Sequence, residues 1–138
     1  MKSLEVKLLS STVLPILIGG GSKAALRRAA RFGDGWHALR KSPNQIRESL
    51  GDLAGLCEAE GRDPSSLQIS ISIPIAFDLP ASQRAAEDQS SLKGQAADIA
   101  ATIAAYEQAG VHEMVISLSS REFTAHAQML QQLSQQVM

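Results

Sequence analysis

"LPILIGGGSKAALRRAARFGDGWHAL", Leu14 to Leu39, passes from an apolar run through three glycines and a serine into an alanine- and arginine-rich stretch. Leu14 to Ile18 is a short continuous apolar run, the pattern of a strand buried on both faces of a parallel sheet. Ser22 is placed to N-cap a helix from about Lys23 to Phe32. Ala25, Leu26, Ala29, Ala30 and Phe32 fall mostly on one side of it, while Arg27, Arg28 and Arg31 point elsewhere. Gly33 ends the helix, and "GWHAL", Gly35 to Leu39, reads as a second strand. Strand, turn, helix and strand in this order form one unit of a parallel α/β sheet with a right-handed crossover.

The same rhythm continues along the chain. In "SPNQIRESLGDLAGLCEAEGRDP" Ser42 is an N-cap, Pro43 opens the helix and Gln45 closes a capping box. Ile46, Leu50, Leu53 and Cys57 then share one helix face, and Gly61 marks the stop. "LQISISIPIAF" alternates strictly, which predicts a strand with Ile69, Ile71, Ile73 and Ile75 on one face. Pro74 lacks a backbone donor and predicts an edge or an end nearby. "DLPASQRAAEDQSSLKGQ" reads as loop or irregular helix. A helix is predicted from about Ala96 to Ala109, burying Ile99, Ile103 and Tyr106, with Gly110 as its stop. "EMVISL" is the next strand. Ser119 and Glu122 form a capping box for a last helix that buries Phe123, Ala127, Leu130, Leu133 and Val137. Strand and helix thus alternate four times in one domain, residues 1–138, after a lead-in segment, 1–13.

The composition fits a soluble globular chain of 138 residues, with 44% hydrophobic and 20% charged residues. A net charge of -1 gives no electrostatic reason to expect nucleic acid or an anionic membrane. A single cysteine makes an internal disulfide impossible and points to a cytoplasmic setting. No apolar run approaches the roughly 18 residues of a membrane helix. The N-terminus carries Lys2, Glu5 and Lys7 and does not read as a signal peptide.

The glycine turn is the candidate binding element. A strand end, glycines and a helix N-terminus present free N–H groups and the positive end of the helix dipole to an anion. Gly20 and Gly21 permit close approach, Ser22 can add a hydroxyl, and Lys23 and Arg27 can supply charge. The competing reading is a tight turn with no ligand. "GGGSKA" satisfies G-x-G-x-x-A literally, but a dinucleotide fold needs an acidic residue about 20 positions on. Asp34 comes too early and is better read as a turn former. The P-loop pattern fails, because no Gly-Lys-Ser/Thr follows at its spacing. His37 is the one histidine placed for proton transfer, weighed against a hydrogen-bonded strand-end histidine. His112 and His126 read as structural or surface residues, Cys57 as a small core residue, and no cluster has metal-ligand spacing.

"PILIGGGSKAALRRAARFGDGWHAL" closely resembles the C-terminal half of the bacterial luciferase-like monooxygenase family. "AEGRDPSSLQISI", "GQAADIAATIAAYEQAGVHEMVISL" and the lead-in "LEVKLLSSTVLP" are similar to the stretches that follow and precede it, so the resemblance covers nearly the whole chain. It implies the C-terminal half of a (β/α)8 barrel, with FMN or the deazaflavin coenzyme as cofactor and oxidation of small organic substrates. It further implies a cofactor phosphate held by Gly20, Gly21 and Ser22, with Gly19 at the strand end and Ala25 one turn into the helix. Trp36 and His37 are expected to face the barrel mouth, where barrel active sites sit. No metal is expected.

Met1 stands just before the family's fifth strand, so this reading expects a half-barrel with part of a cofactor site and an incomplete catalytic constellation. Two open sheet edges, at Leu14–Ile18 and Met114–Leu118, predict self-association. A twofold dimer that rebuilds an eight-stranded barrel is one form, and a looser dimer is the other. The alternative in function is a non-catalytic protein derived from that family, which has lost the cofactor, binds another phosphorylated ligand or only assembles.

Overall fold

The computed structural model describes residues 14–77, 92–94, 96–118 and 123–137. In chain order the elements are β1 (Leu17–Gly19), α1 (Lys23–Phe32), β2 (Gly35–Leu39), α2 (Pro43–Ala59), a 3-10 turn (Pro64–Ser66), β3 (Gln68–Phe77), β4 (Leu92–Gly94), α3 (Ala96–Ala109), β5 (Glu113–Leu118) and α4 (Phe123–Val137). Every strand pair is parallel. β1 pairs with β2, β2 with β3, and β3 with both β4 and β5. Ile75 is matched to Leu92 in β4 and to Leu118 in β5. A strand has two edges, so β4 continues the sheet on the β2 side, beyond the end of β2. Four of the five parallel strands, β1, β2, β3 and β5, alternate with helices and make the frame half of a TIM-type barrel.

β3 organises the layers. Ile69, Ile71, Ile73 and Ile75 are all buried and pack with Trp36, Ala38, Ile46, Leu53, Cys57, Ile99 and Tyr106 in one core between sheet and helices. The opposite parity carries Ser70, Ser72 and Pro74. On that second face Leu39 and Val115 remain 63% and 46% exposed. One face of the sheet is dry and the other is open. Pro74 lies inside β3, where the missing donor leaves the Ile75 pairings intact.

Local chemistry explains the element ends. Ser22 Oγ accepts the Ala25 N–H at 3.2 Å, and α1 begins there. Ser42 and Gln45 make both halves of a capping box, at 3.3 and 2.9 Å. Arg62 donates to the carbonyls of Ala30 and Gly33, which ties the end of α1 to the loop before β3. Asp63 caps the 3-10 turn by accepting the Ser65 N–H, and those bonds hold its carboxyl below the ordinary value.

Several expectations need correction. β1 is shorter than Leu14–Ile18 and shifted to Leu17–Gly19. Pro15 has no N–H to give, and Ile16 pairs instead with Asp34, whose carboxylate accepts its N–H at 2.7 Å. The stretch read as loop or irregular helix ends in strand β4, too short to show a period; residues 78–91 lie outside the described residues. Phe32 is 67% exposed at the last position of α1, with the Arg31 guanidinium 5.1 Å from its ring centre. In α4 Leu133 is buried but Ala127 and Leu130 are exposed, so that helix uses a narrower stripe than its sequence suggests. The Ser119–Glu122 capping box lies outside the described residues.

Gly35 sets the closeness of the first three strands. A Cβ there would stand 2.3 Å from the Gln68 carbonyl oxygen and 2.4 Å from Leu17 Cδ2. Backbone cannot yield as a flexible side chain can, so Gly35→Ala is expected to cost about 2–3 kcal/mol or more. Gly51, exposed on α2, has nothing within 4 Å of such a Cβ. Gly51→Ala should stabilise by about 0.5–1 kcal/mol. Midpoints of urea unfolding for the two variants check both signs.

Candidate functional site

The turn between β1 and α1 is built from both sides. Gly20 adopts φ 113°, a left-handed conformation that glycine accepts without strain. Its N–H donates to the His37 carbonyl at 3.3 Å, and its carbonyl accepts the Trp36 indole N–H at 2.7 Å. A Cβ on Gly20 would lie 3.1 Å from Ala25 Cβ, and Ala25 is buried beneath the turn. Ser22 Oγ is already an acceptor for Ala25, which leaves its hydroxyl proton to donate outward. Among the described residues no acceptor takes the N–H of Gly21, Ser22, Lys23 or Ala24. These are the orphan donors that every helix N-terminus leaves.

A cation stands beside them. A Cβ on Gly21 would meet Lys41 Cε at 3.0 Å and Nζ at 3.4 Å. Lys41 is half-buried, follows β2, and has no ion-pair partner among the described residues. Its carbonyl accepts the hydroxyl of Tyr106, a buried residue of α3, at 2.7 Å. Just before it Arg40 has φ 48°, a conformation non-glycine residues rarely hold, and donates its N–H to Ser72 at 3.1 Å. Lys41 is the site residue that motif reading missed. The signal was present in "WHALRKSP", since neighbouring parallel strands bring their C-terminal exits to the same end of the sheet.

Trp36 and His37 do not share a face. Consecutive strand residues point to opposite sides. Trp36 is fully buried against the helices, and its indole N–H shapes the turn through the Gly20 carbonyl. His37 is half-buried on the open face. Its Nδ1 lies 2.7 Å from Ser70 Oγ and its Nε2 2.9 Å from Ser72 Oγ. Arg27 and Lys23 line a cleft of about 320 Å³ between α1 and α2 with Asp52, Gly51, Gly55 and Leu56. A larger cavity, about 510 Å³, opens at the entry to β5 and includes His112 and Tyr106. It lies away from the strand exits, where barrel sites form. Among the described residues no group of His, Cys, Asp and Glu side chains could hold a metal ion. No helix among them is long and apolar enough to cross a membrane.

The turn fits a phosphate. Unpaired N–H groups, a hydroxyl proton and an ammonium converge where added side-chain carbon would collide. The turn stands at the exit of a strand in an α/β protein whose frame is half of a TIM-type barrel. Residues 4–93 match the family described as luciferase-like monooxygenase, and the chain belongs to it. The fold is similar to that of an F420-dependent secondary alcohol dehydrogenase in complex with an F420-acetone adduct, with a TM-score of 0.74 and 12% identity, covering 93% of this chain and 50% of that one. It is also similar to the monooxygenase RslO1 from Streptomyces bottropensis, with a TM-score of 0.65 and 18% identity over 89% of this chain and 47% of that one. The coenzyme F420-dependent tetrahydromethanopterin reductase from Methanopyrus kandleri matches with a TM-score of 0.63 and 12% identity, over 77% and 45%. The chain spans about half the length of these solved relatives. No curated protein matches it significantly.

Cys57 takes no part in this site. It is fully buried on α2, and burial pushes its thiol up, with Arg62 pulling it down and Asp63 adding to the rise. The thiolate is the reactive form. Native protein at neutral pH should therefore resist a thiol reagent, with labelling that appears only as urea unfolds the chain.

Proposed function

We propose that this chain holds the phosphate end of FMN or of the deazaflavin coenzyme F420 at Gly20, Gly21 and Ser22, as part of a luciferase-like oxidoreductase or monooxygenase. Gly19 ends the strand that delivers the turn, while Ala25 and Trp36 support it from the core side. The observation that carries the reading is the convergence of unpaired N–H groups and the Lys41 ammonium on one turn. Family membership and the fold shared with F420-dependent enzymes support it. Bound there, the cofactor supplies hydride or electron transfer to a small organic substrate. The residues of this chain anchor and orient. The N–H groups of Gly21 to Ala24 would donate to the phosphate oxygens, and the cap from Ser22 to Ala25 holds the turn in shape. Lys41 neutralises a phosphate charge, and the glycines keep carbon out of the space the oxygens occupy.

The open face asks for a covering partner. Among the described residues β1 and β5 each present an unpaired outer edge. A homodimer that joins these edges supplies eight barrel strands, β1, β2, β3 and β5 from each copy, and closes the sheets around the space that the two open faces share. In this reading the chain acts in the cytoplasm as that dimer, with two phosphate turns per assembly. The alternative is a non-catalytic phosphate-binding or assembly protein, and one experiment separates the two.

Titration with FMN and with F420 is expected to show binding by fluorescence change. Gly21→Asp, which brings a negative charge to the turn, should abolish it, and Lys41→Ala should weaken it about tenfold or more, the worth of a charge-assisted contact. Binding of FMN no tighter than inorganic phosphate would favour the non-catalytic alternative, and no binding of either would leave a scaffold. Size exclusion with light scattering should report twice the 14.7 kDa chain mass. A monomer with a cooperative unfolding transition would overturn the dimer.

A further inference from the structure

The open face carries a second polar device, one strand over from the turn. Ser70 is fully buried, and its hydroxyl has one partner among the described residues, His37 Nδ1. A buried hydroxyl proton needs an acceptor, since leaving it bare costs the desolvation of a polar group. Were Nδ1 to carry the proton, Ser70 would accept and its own proton would be left buried with no acceptor among the described residues. Ser70 therefore donates to Nδ1, and the ring proton sits on Nε2. That N–H donates to Ser72 Oγ at 2.9 Å. With its lone pair engaged, the half-buried Ser72 has its own proton left to give. The chain of bonds runs one way along the open face, from the buried Ser70 through His37 to the half-buried Ser72.

The neighbours of Ser72 show what that proton meets. In register it pairs with Leu39 on β2 and Val115 on β5, so the row across the sheet is Leu39, Ser72, Val115. Leu39 and Val115 are the two exposed apolar side chains that flank it. A single donor between two apolar side chains suits a flat, largely apolar ring with an acceptor oxygen at its edge. A phosphate or another anion would find no cation in this row. The glycine turn is close by, because the Gly20 N–H binds the His37 carbonyl.

We propose that Ser72 donates a hydrogen bond to a ring carbonyl of the bound flavin or deazaflavin, with Leu39 and Val115 against the ring and with His37 and Ser70 as positioning residues that fix the direction of the donor. The proposal rests on the phosphate-turn reading for the identity of the ligand, and it is tested without the phosphate. Riboflavin carries the ring alone. It is expected to bind the full chain, Ser72→Ala should weaken it about tenfold, the worth of one hydrogen bond to a buried partner, and Ser72→Thr should restore it to within about twofold of wild type. Nitrogen-15 spectra of the His37 ring provide a readout that packing alone does not move. Nε2 should be protonated and Nδ1 bare, the Nε2 resonance should shift on riboflavin binding, and Ser70→Ala should shift Nδ1. Equal riboflavin affinity in wild type and Ser72→Ala, no riboflavin binding by wild type, or a proton on Nδ1 would each overturn the proposal. Loss of FMN binding advantage with riboflavin binding intact would sink the phosphate turn and leave Ser72 standing.

Discussion

The period-two division of β3 governs the molecule. One parity, Ile69 to Ile75, is drawn against the helices, and this burial is the largest single source of order in the sheet. The other parity then has no choice of face. Ser70 and Ser72 are placed opposite His37 and Leu39 by the register with β2. A slip of one residue would put serines in the helical core and isoleucines on the open side, a change the core would not tolerate. The polar chain on the open face is thus a by-product of where the isoleucines must go.

The glycine turn depends on the same sheet from its other side. Trp36 lies in the buried layer, yet its indole nitrogen reaches the Gly20 carbonyl. His37, next in the chain, holds the Gly20 N–H with its carbonyl. Both bonds come from β2, so the shape of the turn is set by a neighbouring strand rather than by the glycines alone. The glycines supply permission, and β2 supplies the conformation.

Much of the fold was legible because it rests on local signals. Ser22 and Ser42 announce α1 and α2, and the alternation in β3 needs no neighbours to be read. β4 was hidden because Leu92 to Gly94 is too short to display a period. Phe32, Ala127 and Leu130 have apolar side chains at helical spacing, but exposure depends on what lies opposite, which a single helix does not state. The site divides in the same way. The turn could be proposed from consecutive residues. Lys41 and the His37–Ser70–Ser72 chain could not, since they join residues that meet only through parallel pairing, with 33 and 35 positions between His37 and its serines. Even so, strand parity alone separates Trp36 from His37.

The bond from Tyr106 to the Lys41 carbonyl spans 65 residues of chain and joins the third helix to the exit of β2. It makes the ammonium beside the turn a reporter on how well α3 is docked. If α3 opens locally, Lys41 loses its anchor while the glycine turn, held by β2, stays in place. On the proposed reading, in which the turn holds a phosphate, occupation of the turn and closure of that helix are linked quantities: a phosphate that recruits Lys41 protects α3 from opening, and a loosened α3 weakens the grip on it by the same factor. A distant packing defect would thus be felt first as a leaky site, before the fold itself gives way.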